Sequence, residues 1–330
     1  MKNFSEQPED LFRAPEEMKD NYREAQVFHG DRDHVKDGSH EIDNVLSTAF
    51  MTARCFAEQT NIPYAKELYE GLCGAKGFVK GEYEPKKIDT PHFLENRYFR
   101  SREELHKSLE NGEITQVIEI GSGFTPHSID MLTSEKNLKR YVENDFSANL
   151  EIKQSVVNKL IGGLPVRFVA GSILDEKTWG KLKEQLVDGP VGIFCEGLIM
   201  YLSRDQQIQL LEHVKDLLRE RGGFFMFEDP FKYHKGLNEP RFSGLTSTLK
   251  DASNNEALKE LYSQEEADDF YRRLGFNVRR VPEVTDDDYS RIDQYPAEVP
   301  VEVRDGAHAD LKAMQKAGFS TWILSLLKAG

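Results

Sequence analysis

Apolar positions along this chain change their period part-way through. From Glu41 to Gly71 they recur at helical spacing, through Val45, Leu46, Ala49, Phe50, Ala53 and Phe56. Pro63 interrupts the run, and 64–72 predicts a second helix closed by glycine. A charged third helix is predicted over 95–109, and Asn111-Gly112 ends it. Beyond that point, short β-branched and aromatic runs alternate with helical stretches. Strands are predicted at 116–120, 139–143, 166–170, 191–195 and 224–227, and helices at 148–160, 176–182, 206–220 and 264–274. A sixth strand is expected after Gly275 and a last one over 321–327. Such alternation requires a sheet covered on both faces. The expected fold is therefore α/β: a Rossmann-like, doubly wound sheet of seven mostly parallel strands, with an N-terminal helical cover.

The same pattern divides the chain. Residues 1–40 are polar, carry Pro8 and Pro15, and read as a partly mobile arm. Residues 41–112 form the helical cover, and 113–330 the main domain. Two stretches within that domain, 230–262 and 283–312, are polar, irregular and long for simple connections, so they are expected to be insertions. The first carries Phe231, Tyr233, Leu237, Phe242 and Leu245 and is expected to serve as a lid over an apolar or aromatic ligand.

Composition narrows the partners. The 330 residues carry a formal net charge of −14, which repels phosphate backbones and disfavours nucleic acid. The three cysteines, Cys55, Cys73 and Cys195, show no close pairing and read as reduced thiols of a cytoplasmic protein. No run approaches the ~18 apolar residues of a membrane span, and the polar start lacks the form of a signal peptide. His29, Asp31, Asp33 and His34 cluster in the arm, but no second cluster completes a metal site. No metal is expected.

Candidate chemistry concentrates at strand ends. The first strand ends in Glu119-Ile120-Gly121-Ser122-Gly123, where glycines allow a tight turn and close approach of a ligand to the backbone. A dinucleotide fingerprint needs a third glycine where this chain has Pro126, so a nicotinamide cofactor is disfavoured. The second strand ends in Tyr141-Val142-Glu143-Asn144-Asp145, at the spacing where an acid meets a ribose. Either Glu143 or Asp145 could serve, and Asp145 sits nearer the strand end. The third strand leads into Ser172-Ile173, with Asp175 as a helix cap. The fourth ends in Glu196-Gly197, placed to hold the amino group of a cofactor or a group of the substrate.

Three stretches together carry a family resemblance: IEIGSG (118–123), YVENDFSANLEIK (141–153) and EGLIMYL (196–202). They resemble the leucine carboxyl methyltransferase family of class I methyltransferases, and most of all its microbial, polyketide-tailoring O-methyltransferase branch. The resemblance runs over about 42–230, with a weaker echo at 264–278. It implies S-adenosylmethionine as methyl donor, bound at Glu119, Gly121, Gly123, Glu143, Asp145 and Glu196. It also implies that Ser172 and Ile173 flank the adenine and that Arg97 meets the methionine carboxylate, a contact suited to guanidinium. Where relatives often carry an Asp-Thr-Arg type run after the glycines, this chain reads Phe124-Thr125-Pro126-His127.

The implied reaction is methyl transfer to a carboxyl or hydroxyl oxygen of a small molecule. The alternatives are transfer to a protein C-terminal carboxyl group, or cofactor binding without catalysis. A carboxylate acceptor needs no base at neutral pH, whereas an alcohol or phenol benefits from one. His127, His234 and Tyr201 are near enough to strand ends to be considered, but no partner marks any of them as a base, and none is assigned. Oligomeric state is not legible.

Overall fold

The computed structural model describes residues 39–76, 91–228, 263–295 and 299–326. The polar arm, its histidine-aspartate cluster and the expected lid with His234 lie outside the described residues. Three helices open the described chain: α1 (Ser39–Gln59), α2 (Ala65–Lys76) and α3 (Pro91–Glu110). Then β1 (Gln116–Ile120), α4 (His127–Ser134), β2 (Arg140–Asp145), α5 (Ser147–Ile161), β3 (Val166–Ala170) and α6 (Glu176–Gln185) follow in alternation. The order continues through β4 (Val191–Cys195), α7 (Arg204–Arg221), β5 (Gly223–Glu228), α8 (Gln264–Arg273) and β6 (Phe276–Pro282). Two helices, α9 (Asp286–Asp293) and α10 (Val301–Ala317), lead to β7 (Ser320–Leu326).

The strands form one seven-stranded sheet in the order β3-β2-β1-β4-β5-β7-β6. Strands β1 to β5 run parallel, and β7 runs antiparallel between β5 and β6. The fold is α/β and Rossmann-like, as the alternating pattern predicts. Strand order reverses between β1 and β4, and their carboxyl ends flank the crevice where open α/β sheets bind ligands.

Strand alternation explains why both faces need helices. Ile118, Ile120, Val142, Ile193, Phe225 and Phe227 face one core, with Trp179 of α6, Leu210 and Val214 of α7 and Tyr271 of α8. Their sequence neighbours Val117, Tyr141, Phe194, Phe224 and Met226 face the other, with Phe50 of α1, Leu68 and Leu72 of α2, Leu105 of α3 and Val156 of α5. The N-terminal helices thus share with α4 and α5 in covering one face of the sheet. Each apolar side chain so buried is worth about 1.5–3 kcal/mol, which is why an all-polar surface sheet is not an option here.

One segment departs from the sequence reading. Residues 283–312, expected to be irregular, contain α9 and most of α10. Ala307, Leu311 and Met314 lie on one face of α10 and pack with Phe93 of α3 and Ile292 of α9. Three core positions in a run dominated by charge leave too narrow a stripe to stand out in sequence.

Candidate active site

The glycine turn and the acidic end of β2 meet directly. The Gly123 N–H donates to Asp145 Oδ2 at 2.6 Å, and the Ser122 N–H donates to the Asn144 carbonyl at 3.0 Å. Gly121 and Gly123 both adopt positive φ, +66° and +46°, which an L side chain tolerates poorly. The other Asp145 oxygen accepts from the Phe146 N–H and from Asn149 Nδ2. Burial raises the pKa of Asp145 in spite of these donors. The β3 tip joins the same corner, because the Gly171 N–H donates to the Asp145 carbonyl and Asn144 Nδ2 to Val169 and Gly171.

Glu143 lies elsewhere. Its carboxylate is fully buried one turn of the pleat back along β2 and pairs with the equally buried Lys153 of α5 at 2.5 Å. Of the two candidate acids, only Asp145 reaches the mouth of the sheet. Glu119 is likewise placed beneath the glycine turn rather than in it. Thr125 Oγ1 donates to one of its oxygens at 2.7 Å and Tyr141 Oη to the other at 2.8 Å. Burial works to raise its pKa, yet Lys153, His127 and Thr125 together bring it below the usual carboxylate range.

A second group gathers at the ends of β4 and β5. Arg97 of α3 is buried, stacks over Phe93 and pairs with Glu228, the last residue of β5. The Gly197 N–H donates to the same Glu228 oxygen. Gly197 has φ +66°, a conformation that favours glycine, and Arg97 Nη2 is its nearest neighbour on the side where a Cβ would stand. Burial opposes the charge on Arg97, but Glu228, Glu196 and Glu283 outweigh it. Tyr201 adjoins this pair, and burial pushes its phenol up to about 12. It stays protonated at neutral pH and cannot act as a base.

Glu196 and His127 link the two groups. Glu196 Oε1 stands 3.4 Å from His127 Nε2, and Glu119 Oε1 stands 3.3 Å from His127 Nδ1. The imidazole stacks on Tyr98 with centroids 4.0 Å apart. Ser172 is half-buried, its hydroxyl taken by the Leu174 N–H, while Ile173 is buried in the core beside Trp179.

The expected residues therefore fall into two sets. Gly121, Gly123, Asp145 and Glu196 stand at the tips of β1, β2 and β4, with Leu198 packed over Gly121, Ser172 after β3 and Arg97 reaching in from α3. Glu119, Glu143 and Ile173 support these tips from inside. Glu228 is absent from the sequence reading, although its signal was present: like β2 and β4, the β5 run Phe224-Phe225-Met226-Phe227 is closed by an acid. Lys153 gave no such signal, since its pairing depends on how α5 crosses β2.

The crevice suits an amino-acid zwitterion. Among the described residues, Arg97 Nε, Ser122 Oγ, Glu196 Oε1 and Glu228 Oε2 are buried polar atoms without a hydrogen-bond partner. Buried polar groups are normally satisfied, and Glu196 Oε1 already faces His127, so the spare capacity of the Arg97 cation and the Glu228 carboxylate points to a ligand bearing both signs. Among the described residues no group of acids, histidines or cysteines has the arrangement of a metal site, and no helix is long and apolar enough to cross a membrane.

Residues 52–215 match the leucine carboxyl methyltransferase family model. Over those residues, just under half of its length, the chain is similar to that family. It is accordingly an S-adenosylmethionine-dependent methyltransferase. No curated protein matches it in sequence. A crystal structure of a DUF574 family protein from Streptomyces avermitilis is similar at 13% identity and a TM-score of 0.50, over 85% of this chain and 97% of that one. A candidate methyltransferase from Thermobifida fusca is similar at 14% identity and a TM-score of 0.50, over 84% of this chain and 94% of that one. At such identity these two speak for the fold. The family match spans α1 to α7 and so includes every crevice residue named above except Glu228.

Proposed function

We propose that this methyltransferase moves a methyl group from S-adenosylmethionine to a carboxyl or hydroxyl oxygen of a small molecule. The observation that carries the reading is the meeting of the Gly123 amide with Asp145 at the switch point of the sheet. An acid there is placed for ribose hydroxyls, with the glycine turn beside it. Arg97 offers guanidinium to the methionine carboxylate, and Glu196 offers its ammonium the carboxylate oxygen that is not turned to His127. For Arg97 to accept that carboxylate, Glu228 must share or release it.

When bound, the cofactor supplies an activated methyl on sulfonium, ready for in-line displacement. What this chain contributes is orientation and a dry site. His127 is walled in by Tyr98, Phe194 and two carboxylates, and Tyr201 keeps its proton, so neither supplies a base. An acceptor already ionised at neutral pH needs none. This favours a carboxylic acid or an acidic phenol over an alcohol. Cys55 and Cys195 are buried free thiols, in keeping with the cytoplasmic setting we also propose.

Calorimetry with S-adenosylhomocysteine tests the cofactor half of this reading. Saturable binding to one site is expected, and absence of heat at every pH would overturn it. A labelled-methyl assay over small carboxylates, phenols and peptide tails tests the other half. Label on a small acid or phenol is expected. Label on a peptide C-terminus alone would replace the small-molecule acceptor with a protein one.

A further inference from the structure

His127 opens α4 and is completely buried. Tyr98 lies flat against one face of its ring, and Phe194 meets it edge-on with centroids 5.2 Å apart. Those contacts fix the ring plane, and both nitrogens stand close to carboxylates: Nδ1 is 3.3 Å from Glu119 Oε1 and Nε2 is 3.4 Å from Glu196 Oε1. Neither nitrogen has a hydrogen-bond partner of good geometry among the described residues. A neutral imidazole has one donor and one acceptor, so one nitrogen would turn a lone pair toward a buried carboxylate. The imidazolium donates from both. Two carboxylates within 3.4 Å attract a charged ring from both sides, so the arrangement favours the cation.

We propose that His127 is a positioning residue, a buried imidazolium that ties Glu119 under the glycine turn to Glu196 at the β4 tip and so fixes two walls of the cofactor's amino-acid pocket. This rests on reading Glu196 as the partner of the cofactor ammonium. With one Glu196 oxygen turned to His127, the other is left for the ligand, and its direction is set. Remove the proton, and two buried carboxylates face a ring that can satisfy only one of them.

The charged surroundings favour this state. Burial opposes the charge, but Glu196, Glu119 and Asp130 outweigh it and hold the His127 pKa above the ordinary imidazole value of about 6.5. Asp130, on the same helix, is itself held by Arg102 and Tyr98 of α3. From the other elements, Arg97 of α3 faces Glu196, Glu228 of β5 faces Arg97, and Tyr141 of β2 and Lys153 of α5 act on Glu119. Because the folded pKa is raised, the clamp is complete below about 6.5 and is lost as pH rises through the folded value.

The test combines two readouts on the full chain. Nitrogen NMR of the imidazole, assigned by its absence in His127→Arg, follows its protonation from pH 6 to 9 without cofactor. Calorimetry then follows S-adenosylhomocysteine affinity over the same range for the wild type, His127→Arg and His127→Gln. We expect both ring nitrogens protonated at neutral pH and a wild-type affinity that falls severalfold as His127 titrates. His127→Arg should bind with no such fall, and His127→Gln weakly throughout. A neutral His127 at pH 7, or an affinity unchanged through its titration, overturns the proposal. If neither variant folds, the two wild-type curves alone decide. Failure of the cofactor reading looks different: no binding at any pH beside a doubly protonated His127, which would remove the pocket and with it the role assigned to the clamp.

Discussion

Two acids close β2, and their surroundings give them different work. Glu143 is sealed against Lys153, both without exposure. Breaking a buried pair by neutralising one partner leaves the other charge uncompensated, at about 3–5 kcal/mol. Glu143→Gln should therefore lose roughly that much stability in urea unfolding, while cofactor affinity in the surviving folded fraction changes little. Asp145 instead sits at the strand tip with Gly123, Phe146 and Asn149 donating to it. Asp145→Asn should weaken S-adenosylhomocysteine binding severalfold or more, with a smaller loss of stability. Equal effects of the two substitutions on affinity would mean that the assignment of work between them is wrong. Sequence brought these acids within two residues of each other and favoured Asp145 by its position. It could not show that Glu143 is committed, because Lys153 lies on another element and its approach is a property of packing. The same limit hid the His127 bridge: Glu119 and Glu196 are far apart in the chain, and only the neighbouring of β1 and β4 brings them to one ring.

Elements were most legible where pattern and punctuation agree. β1, β3 and β4 are short β-branched or aromatic runs bounded by turn residues, and they fall where their sequences predict. β2 and β5 each run on to a terminal acid, since a charged residue at a strand end does not look apolar although the backbone stays paired. α9 and α10 escaped because the core reads only a narrow stripe of each. Where glycine opens a strand, the fold is unforgiving. Gly223 begins β5 with φ +98°, and a Cβ there would stand 2.0 Å from the Val191 carbonyl oxygen. That contact is with backbone, so no rotamer change relieves it. Gly223→Ala must shift β5 against β4 or lose the native φ, and losses above about 4 kcal/mol belong to backbone clashes of this kind. The variant is expected to accumulate as insoluble protein or to unfold several degrees earlier by circular dichroism. A wild-type melting curve would show that the turn before β5 can be rebuilt at little cost.

At the scale of the whole molecule, the last strand joins what the sequence keeps apart. β7 lies between β5 and β6, so β6 reaches the sheet only through it. Its Trp322 is completely buried, with Phe227 of β5 stacked at 6.5 Å and Tyr271 of α8 edge-on at 5.6 Å. Its Ile323 turns to the opposite core with Met226. The same β5 carries Glu228, which holds Arg97 and the Gly197 amide at the crevice. Sequence made the seven strands countable, but the insertion of β7 between β5 and β6 is a long-range pairing that no local pattern encodes. A chain ending at Gly318 therefore loses more than an edge. β5 becomes an open strand with Phe225 and Phe227 deprived of cover, and β6 has no partner. Unpaired edges of this kind invite association with other chains. The truncated chain should lose cooperative urea unfolding, aggregate, and bind no S-adenosylhomocysteine, although every crevice residue remains in it. Cooperative unfolding with normal binding would instead show that β1 to β5 and their helices hold the crevice by themselves, and that Glu228 needs no neighbour to stay in reach of Arg97.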